Sequence, residues 1–346
     1  MTAIETRGLT KRFAGGRFGR SEPVVAVDDL DLTVEEGTVF GFLGPNGAGK
    51  STTINLLLDF IRPTAGEARL FGMDANTDST AIADRIGVLP EGYGFDGSLT
   101  AREYVDWTVR TKGARDDPGE ILSTVGLADA ADRPVDGFST GMRQRLAFGM
   151  ALVGDPDLLL MDEPSAGLDP NGIQRIREIV RERAANGTTI FFSSHVLGEV
   201  EAVCDRVGVM NEGELVAVDT IDELRRRVGR GTTIRVECAP VPDPAGVTSL
   251  DGVHEAERDD QTLVVRCASA GDKVDVVRHL ADRTTVRNIL SSPVALEELF
   301  NTYTEGGRDE GVGGGGVGRH SAGRDGDTVD DIGAERDDAE STEVSQ

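Results

Sequence analysis

Cysteine, lysine and aromatic residues are scarce in this chain of 346 residues. Its three cysteines, Cys204, Cys238 and Cys267, are widely spaced, which argues against a disulfide framework or a cysteine-based metal site and favours reduced thiols. Only four residues are lysine, and the formal net charge is −25. A chain this acidic lacks the clustered cations with which proteins bind nucleic-acid phosphates, so no nucleic-acid partner is expected.

Long hydrophobic runs are missing as well. No apolar run in the sequence has the length that a bilayer-spanning helix needs. Met1–Thr10 alternates charged and apolar residues and has no signal-peptide core. We therefore expect a cytoplasmic protein, for which any role at a membrane requires a partner that supplies the spanning helices.

Negative charge is present along the whole chain. Glu305–Gln346 carries 12 acidic and 4 basic residues, hence −8, which leaves −17 of the total of −25 to the remainder. High salt screens the self-repulsion of so acidic a fold, so the composition is typical of a halophile with a salty cytoplasm. A merely soluble acidic protein is the alternative, and composition does not decide between the two.

The pattern along the chain divides it into three predicted parts. Residues 1–227 alternate strand-like and helix-like runs, as in an α/β domain with a parallel sheet, preceded by short β-strands and interrupted by a helical insert at about 92–152. Residues 231–304 form a small α+β domain. Residues 305–346 form an acidic, glycine-rich tail that cannot bury enough apolar surface to fold.

The small α+β domain is predicted from four segments. Thr232–Cys238 and Thr262–Cys267 have the composition of strands, and Lys273–Ala281 and Val294–Tyr303 that of helices. Within the helical insert, the lone Trp107 is expected to be a buried core residue.

A phosphate-binding loop follows the apolar run Val39–Leu43. The loop matches the pattern G-x-x-x-x-G-K-[ST] in full, as Gly44-Pro45-Asn46-Gly47-Ala48-Gly49-Lys50-Ser51-Thr52. Its glycines let successive backbone N–H groups point at phosphate oxygens, and the helix that follows presents its positive end to the same anion. Lys50 is expected to reach the β- and γ-phosphates, and the Ser51 hydroxyl to ligate Mg²⁺.

Carboxylates follow a second apolar run, Leu158–Met161. Ligands of such sheets bind at the carboxyl ends of the strands, where Asp162 and Glu163 would stand. Asp162 is expected to hold Mg²⁺ through its water shell, and Glu163 to take a proton from the attacking water. A third apolar run, Thr188–Phe192, leads to His195, which would orient that water.

These motifs, in this order and spacing, resemble those of the ABC ATPases over about Thr2–Arg227. The decisive segment is Phe138-Ser139-Thr140-Gly141-Met142-Arg143-Gln144-Arg145, which resembles the signature LSGGQ followed by a basic helix. The fold class that the resemblance implies is an α/β P-loop NTPase with an N-terminal antiparallel β-subdomain. The resemblance also implies that Ser139 and Gly141 contact the ATP bound by the opposing subunit.

The resemblance assigns roles to three further residues. Asp169, in Pro164-Ser165-Ala166-Gly167-Leu168-Asp169, would contact the opposing subunit, and Phe13 would stack on adenine. Glu91 stands where the family has a Gln that ligates Mg²⁺ and relays to the membrane subunit. The carboxylate adds negative charge near the γ-phosphate, which puts direct ligation at Glu91 in question, and Thr140 and Met142 likewise depart from the signature.

The resemblance is to the drug-, antibiotic- or ion-exporter branch. It implies that MgATP is bound and hydrolysed by a homodimer, or a heterodimer with a paralogue, lying on the inner face of the cell membrane through separate transmembrane permease subunits. The insert around Tyr104 and Trp107 would contact the permease.

Three other functions share some of these motifs. A soluble ABC ATPase of translation or DNA repair would carry two cassettes or long coiled-coil insertions, and neither is present in the sequence. A P-loop kinase would lack the segment around Ser139, and no Asn-Lys-x-Asp motif of a GTPase is found. A nucleotide-gated scaffold with an inactive site stays open because of Glu91 and Thr140, although Glu163 and His195 argue against it.

Overall fold

The computed structural model describes residues 1–14, 23–221, 223, 232–269 and 271–293. The predicted helix Val294–Tyr303 and the predicted tail at 305–346 lie outside the described residues. No helix in the described part of the chain combines the length and the apolar character required to span a bilayer.

An antiparallel sheet is formed by the N-terminal strands. Its strand order is β2-β1-β4-β5. The strands are β1 (Thr2–Phe13), β2 (Val24–Glu35), β4 (Ala65–Leu70) and β5 (Met73–Asp74). In β2, Leu30, Leu32 and Val34 are buried and their neighbours in sequence are exposed, as expected of a sheet with one solvated face.

A six-stranded, mostly parallel sheet follows, in the order β10-β9-β3-β8-β7-β6. The strands are β3 (Val39–Leu43), β6 (Ile86–Leu89), β7 (Leu158–Asp162), β8 (Thr189–Ser194), β9 (Arg206–Asn211) and β10 (Glu214–Asp219), the last antiparallel to β9. Every residue of β3, β7 and β8 is buried. Because these three strands are neighbours and parallel, their carboxyl ends lie side by side at one edge of the sheet.

Both faces of this sheet are covered, and each strand contributes alternate side chains to two hydrophobic clusters. Phe40 and Phe42 lie in one cluster and Val39 and Leu43 in the other. Phe191 stacks on Phe40 with ring centroids 5.7 Å apart. The covering helices are α1 (Lys50–Leu57), α2 (Ser79–Ala83), α5 (Thr140–Leu152), α6 (Pro170–Ala185) and α7 (Leu197–Val203).

Helices α3 (Ala101–Thr111) and α4 (Pro118–Thr124), with two 3₁₀ turns and α5, lie between β6 and β7 in the chain. Thr100 and Glu103 form a capping box that fixes the start of α3. The expectation that Trp107 is buried is wrong, since 59% of it is exposed. The buried face of α3 carries Tyr104 and Val105, and the helical period places Trp107 on the other side.

The C-terminal part forms a four-stranded antiparallel sheet in the order β12-β13-β11-β14. Its elements are β11 (Thr232–Ala239), α8 (Pro244–Thr248), β12 (Val253–Asp259), β13 (Thr262–Cys267), α9 (Asp272–Ala281) and β14 (Thr285–Pro293). This β-α-β-β-α-β order is the ferredoxin-like topology. Cys238 and Cys267 are free thiols buried in its own hydrophobic cluster. Whether the domain boundaries lie at 227, 231 and 304 stays a prediction.

Candidate nucleotide-binding site

The loop between β3 and α1 has the backbone of a phosphate cradle. Gly47 and Gly49 have φ angles of 84° and 106°, which side chains rarely adopt. A Cβ on Gly49 would also lie 2.2 Å from the carbonyl oxygen of Ala26, so the loop can take this path only with glycine there. The loop ends at Lys50, the first residue of α1, so the N-terminus of that helix faces the same space.

Lys50 is buried at the base of this loop, with 6% of its side chain exposed. Its Nζ donates hydrogen bonds to the carbonyl oxygens of Gly44 and Pro45, at 2.8 and 3.2 Å. The same Nζ lies 3.6 Å from Oε1 of Glu163. The phosphate loop and the end of β7 therefore meet through one ammonium group.

Asp162 and Glu163 are held by a single hydroxyl on the neighbouring strand. Ser193 Oγ donates to Asp162 Oδ1 at 2.5 Å and accepts from the backbone N–H of Glu163 at 3.0 Å. Asp162 is the last residue of β7 and is paired in register with Ser193 of β8. The carboxylate of Asp162 and the backbone of Glu163 are thus fixed relative to one another.

Glu163 turns out of the strand in a left-handed conformation, with φ 48°. Its Oε2 lies 2.9 Å from Nδ1 of His195. Gln144 of α5 donates to the carbonyl oxygens of Glu163 and Pro164, at 3.4 and 3.2 Å. The backbone on both sides of Glu163 is therefore hydrogen-bonded, and its carboxylate lies between a lysine and a histidine.

A cavity of about 380 Å³ opens over these groups. It is lined by Val24, Val25, Ala26, Asn46, Gly47, Gly49, Lys50, Ser51, Thr52, Glu91, Glu163, Ala166 and His195. Glycines, hydroxyls and a lysine at a helix N-terminus are donors for a polyphosphate, and Glu163 and His195 stand at the same wall.

The remaining predicted site residues do not line this cavity. Gly44 and Pro45 lie beneath it, where their carbonyls bind Lys50. Ala48 is buried, and Asp162 lies behind Glu163. Phe13 pairs with Val24, which lines the cavity, and its ring is exposed with the ammonium of Lys11 5.2 Å from its centroid.

Ser139 and Gly141 lie apart from the cavity of their own chain. Ser139 is the N-cap of α5 and accepts a hydrogen bond from the N–H of Met142 at 3.2 Å. A Cβ on Gly141 would approach the carbonyl oxygen of Gly167 to 3.2 Å, so the turn packs against the 164–169 loop. Asp169 caps α6 by accepting from the N–H of Gly172 at 2.8 Å.

Mg²⁺ fits the oxygen donors around the cavity. No cluster of three or more acidic, histidine or cysteine side chains that could hold an ion by itself occurs among the described residues. Mg²⁺ does not require one, because it commonly retains waters and is bound through one or two carboxylates together with substrate phosphates. Ser51 and Glu91 line the cavity, and Asp162 is buried next to Glu163 in the chain.

Sequence reasoning missed Ser193 and Gln144. Ser193 stands two residues before His195 in a run of small polar residues, which is its only signal in the sequence. Its role depends on β7 and β8 being neighbours, and strand order is not visible in the pattern of apolar residues. Gln144 lies 19 residues before Glu163 and meets it only because α5 packs against the loop after β7.

Comparison with known proteins agrees with this geometry. The family model described as ABC transporter matches residues 27–166. The chain is 40% identical over 232 residues to the daunorubicin/doxorubicin resistance ATP-binding protein of Streptomyces peucetius, covering 66% of this chain and 68% of that protein. It is 38% identical over 309 residues to the bacitracin transport ATP-binding protein of Enterococcus faecalis, covering 88% of this chain and 97% of that one.

Solved structures give the same result. The ATP-binding subunit of an ABC transporter superposes with a TM-score of 0.58 at 27% identity, covering 66% of this chain and 93% of that chain. A dimeric ATP-binding cassette bound to ADP and Pi superposes with a TM-score of 0.58 at 24% identity, covering 63% and 98%, and is similar in fold. The chain therefore belongs to the ABC transporter ATP-binding proteins, as a subunit that binds and hydrolyses ATP.

Proposed function

We propose that this chain drives an exporter, by closing with a second ATPase subunit around two MgATP molecules beneath separate transmembrane subunits. The observation that carries the proposal is the cluster of Lys50, Glu163 and His195 at the wall of the cavity formed by the phosphate loop. The direction of transport is supported by the relatives, whose names refer to resistance against daunorubicin and doxorubicin and to bacitracin transport.

The phosphate loop holds the triphosphate in this proposal. Backbone N–H groups of 46–51 and the N-terminus of α1 face the phosphates, and Lys50 exchanges its two loop carbonyls for phosphate oxygens. Ser51 and Glu91 would supply oxygen ligands to Mg²⁺, and Asp162 would hold it through water. When bound, Mg²⁺ neutralises charge on the β- and γ-phosphate oxygens. Phe13 is assigned to the adenine because it neighbours Val24 on the cavity wall.

Glu163 is assigned as the general base. Water attacks the γ-phosphorus, its proton passes to Glu163, and the bond from that phosphorus to the β–γ bridging oxygen breaks. The 2.9 Å contact of His195 Nδ1 with Oε2 aims the carboxylate and leaves Oε1 toward the cavity and Lys50. Catalysis consists mainly of positioning and charge stabilisation, since the groups are preorganised by Ser193 and Gln144.

The second subunit is assigned to complete the site with its signature turn, the segment around Ser139 and Gly141. Ser139 and Gly141 lie at the N-terminus of α5, which suits a phosphate, yet they do not line the cavity of their own chain. They can serve a nucleotide only on another copy, or on a paralogue of the same design. Asp169 would stand at the same contact.

Mixing two inactive variants tests the shared site. In Lys50→Ala the phosphate loop is impaired, and in Ser139→Arg the turn is blocked by a bulky side chain, so each variant alone is expected to be nearly inactive. Random pairing gives mixed dimers that contain one intact site, so the equimolar mixture should recover roughly a quarter of the wild-type rate. The rate of phosphate release from the mixture is the measurement.

The matched control is a mixture of Lys50→Ala with Ser51→Ala. Both changes affect the phosphate loop, so no pairing of these two variants restores a site. If the Lys50→Ala and Ser139→Arg mixture released phosphate only at the summed rates of the two separate variants, the two chains would not share a site. Normal turnover by Ser139→Arg alone would contradict the role of the turn.

We assign the binding site for the transmembrane permease to an apolar groove of about 320 Å³ on the face that carries α3. Exposed aromatic side chains stand at its rim, with Trp107 at 59% and Phe60 at 64% exposure. Tyr93 lines the groove and Glu91 lines the nucleotide cavity, so one short loop touches both. This continuity supports a partner whose movement is linked to the γ-phosphate.

Lys112 forms the floor of that groove. Its Nζ donates to the carbonyl oxygens of Ile86 and Val153, at 2.8 and 3.1 Å. Burial lowers the pKa of this ammonium, against the opposing effect of the Asp116 carboxylate. The lysine joins the ends of α3 and α5 to β6, so the groove has a rigid base.

A photoreactive phenylalanine analogue in place of Trp107 tests this assignment. In membranes of cells that express the full transporter, illumination should link this chain to a membrane-integral polypeptide. The purified variant should keep its ATPase rate within about twofold, as expected of a surface position outside the site. The same analogue in place of Val216, an exposed residue of β10, is the control. Equal linking from both positions, or linking from Val216 alone, would place the permease elsewhere.

A further inference from the structure

We propose that Glu199 is a positioning residue that locks the turn bearing His195 to the loop running from Glu163 to Asp169. The proposal rests on the function proposed above, because it concerns the same catalytic pair. Glu199 is on α7, four residues after His195, and only 8% of it is exposed. It does not line the nucleotide cavity and so acts only through other residues.

One oxygen of Glu199 receives hydrogen bonds from both segments. Ser165, in the loop after β7, donates its hydroxyl to Oε2 at 2.6 Å. Ser194, the last residue of β8, donates to the same oxygen at 3.1 Å. Charge-assisted hydrogen bonds of this kind are about twice as strong as neutral ones. The carboxylate therefore ties the residue before His195 to a residue two positions after Glu163.

Retaining an ionised group here requires compensation, because burying a carboxylate is unfavourable without hydrogen bonds or a nearby cation. The hydroxyls of Ser165 and Ser194 supply those hydrogen bonds, and Arg177 of α6 places a positive charge in the same region. It lines the same small cavity as Glu199, and its Nη2 donates to the carbonyl oxygen of Gly198 at 3.3 Å. Its Nε is buried and has no hydrogen-bond partner among the described residues. An apolar residue at 199 would remove the oxygen to which the hydroxyls of Ser165 and Ser194 donate.

Glu199 acts on the position of His195, which side-chain packing alone does not fix. About half of the His195 side chain, 52%, is exposed, so packing alone does not fix its ring. The position of the ring depends on the backbone of the turn, which Ser194 holds by accepting from the N–H of Val196 at 2.9 Å. Through Ser194, Glu199 sets the distance from His195 Nδ1 to Glu163. Through Ser165, it links that distance to the loop whose far end carries Asp169.

The test compares Glu199→Gln with wild type in the full-length chain. Gln keeps the shape of the side chain, but its neutral amide accepts the two hydroxyl hydrogen bonds more weakly than the carboxylate does. We therefore expect kcat to fall about tenfold to a hundredfold, the effect of a misplacement near 1 Å. KM for ATP and the affinity for a labelled nucleotide should stay within about twofold, because no contact with the nucleotide is lost. A residue with a merely structural role would change Tm and leave kcat per folded molecule unchanged.

Two further variants complete the experiment. Glu201→Gln, an exposed position on the same helix, is the matched control and should retain the wild-type kcat and KM. Ser165→Ala removes one of the two hydrogen bonds without changing a charge, and should lower kcat at constant KM even if Glu199→Gln fails to fold. Combined with Glu199→Gln it should add little, because both changes break the same contact.

The outcomes separate this inference from the proposed function. If the wild-type chain hydrolyses ATP but Glu199→Gln and Ser165→Ala both retain its kcat, the positioning role is overturned and the proposed function stands. If both variants raise KM at constant kcat, Glu199 serves nucleotide binding and the inference is again wrong. A wild-type chain that does not turn over ATP would contradict the proposed function itself.

Discussion

Replacing Glu163 with Gln should stop ATP turnover and leave an ATP-loaded pair that does not reopen. The amide cannot take a proton from the attacking water, and general-base catalysis contributes about 10²–10⁴-fold in rate. The side chain keeps its size, so Ser193, Gln144 and His195 continue to hold the same backbone and the nucleotide still binds. The rate of phosphate release measures the loss of ATP turnover. Light scattering in the presence of ATP measures how much of the chain is dimeric.

Glu178→Gln is the matched control for this substitution. Glu178 is an exposed residue of α6 that pairs with Arg175 across one helical turn, at 3.4 Å, and its loss should leave the rate unchanged. Normal turnover by Glu163→Gln would mean that the base is another group. Loss of both turnover and ATP binding would mean that Glu163 supports the fold of the loop and has no role as a base.

Lys50→Ala should weaken ATP binding by about 1.5–3 kcal/mol, the range of a hydrogen bond to a charged group, which corresponds to an affinity lower by roughly 13-fold to 150-fold. The ammonium is already buried at the base of the phosphate loop, so it meets the phosphates with little rearrangement. Its removal also leaves Glu163 without the cation 3.6 Å away, and the negative charge then repels the γ-phosphate. Titration with a fluorescent ATP analogue gives the affinity directly.

Lys273→Ala makes the same chemical change in helix α9, outside the nucleotide cavity, and serves as the control. The side chain of Lys273 contacts Ser291, at 3.4 Å, and its loss should not alter the affinity for ATP. An unchanged affinity in Lys50→Ala would show that the 380 Å³ cavity does not hold the triphosphate as proposed.

The fold class could be predicted because three strands are mainly apolar and each leads directly into predicted site residues. Leu158–Met161 and Thr188–Phe192 were predicted as buried strands, and they form most of β7 and β8. Strands that are buried on both faces show no alternation of apolar and polar residues, so a continuous apolar run is enough to identify them as strands. The P-loop fold with its antiparallel β-sheet is confirmed by the structure and by the similar cassettes.

The supporting contacts of the site could not be predicted in this way. Asp162 and Ser193 are 31 residues apart, and they meet only because β7 and β8 are adjacent. Glu199 gave no signal, since an acidic residue early in a helix is ordinary. Trp107 was misassigned because tryptophan is usually well buried, and this preference was applied without the phase of its helix. The proposed salt adaptation stays a prediction, which the dependence of unfolding on KCl concentration would decide.

The positive φ angle of Glu163 has an evolutionary consequence. A left-handed backbone at a residue other than glycine is unfavourable by about 1–3 kcal/mol, and here Ser193 and Gln144 offset it. Glycine or asparagine would relax this position, so selection for thermal stability alone would remove the acid. A glycine or asparagine variant should therefore gain stability and lose the general base, so stability and turnover oppose one another at this position.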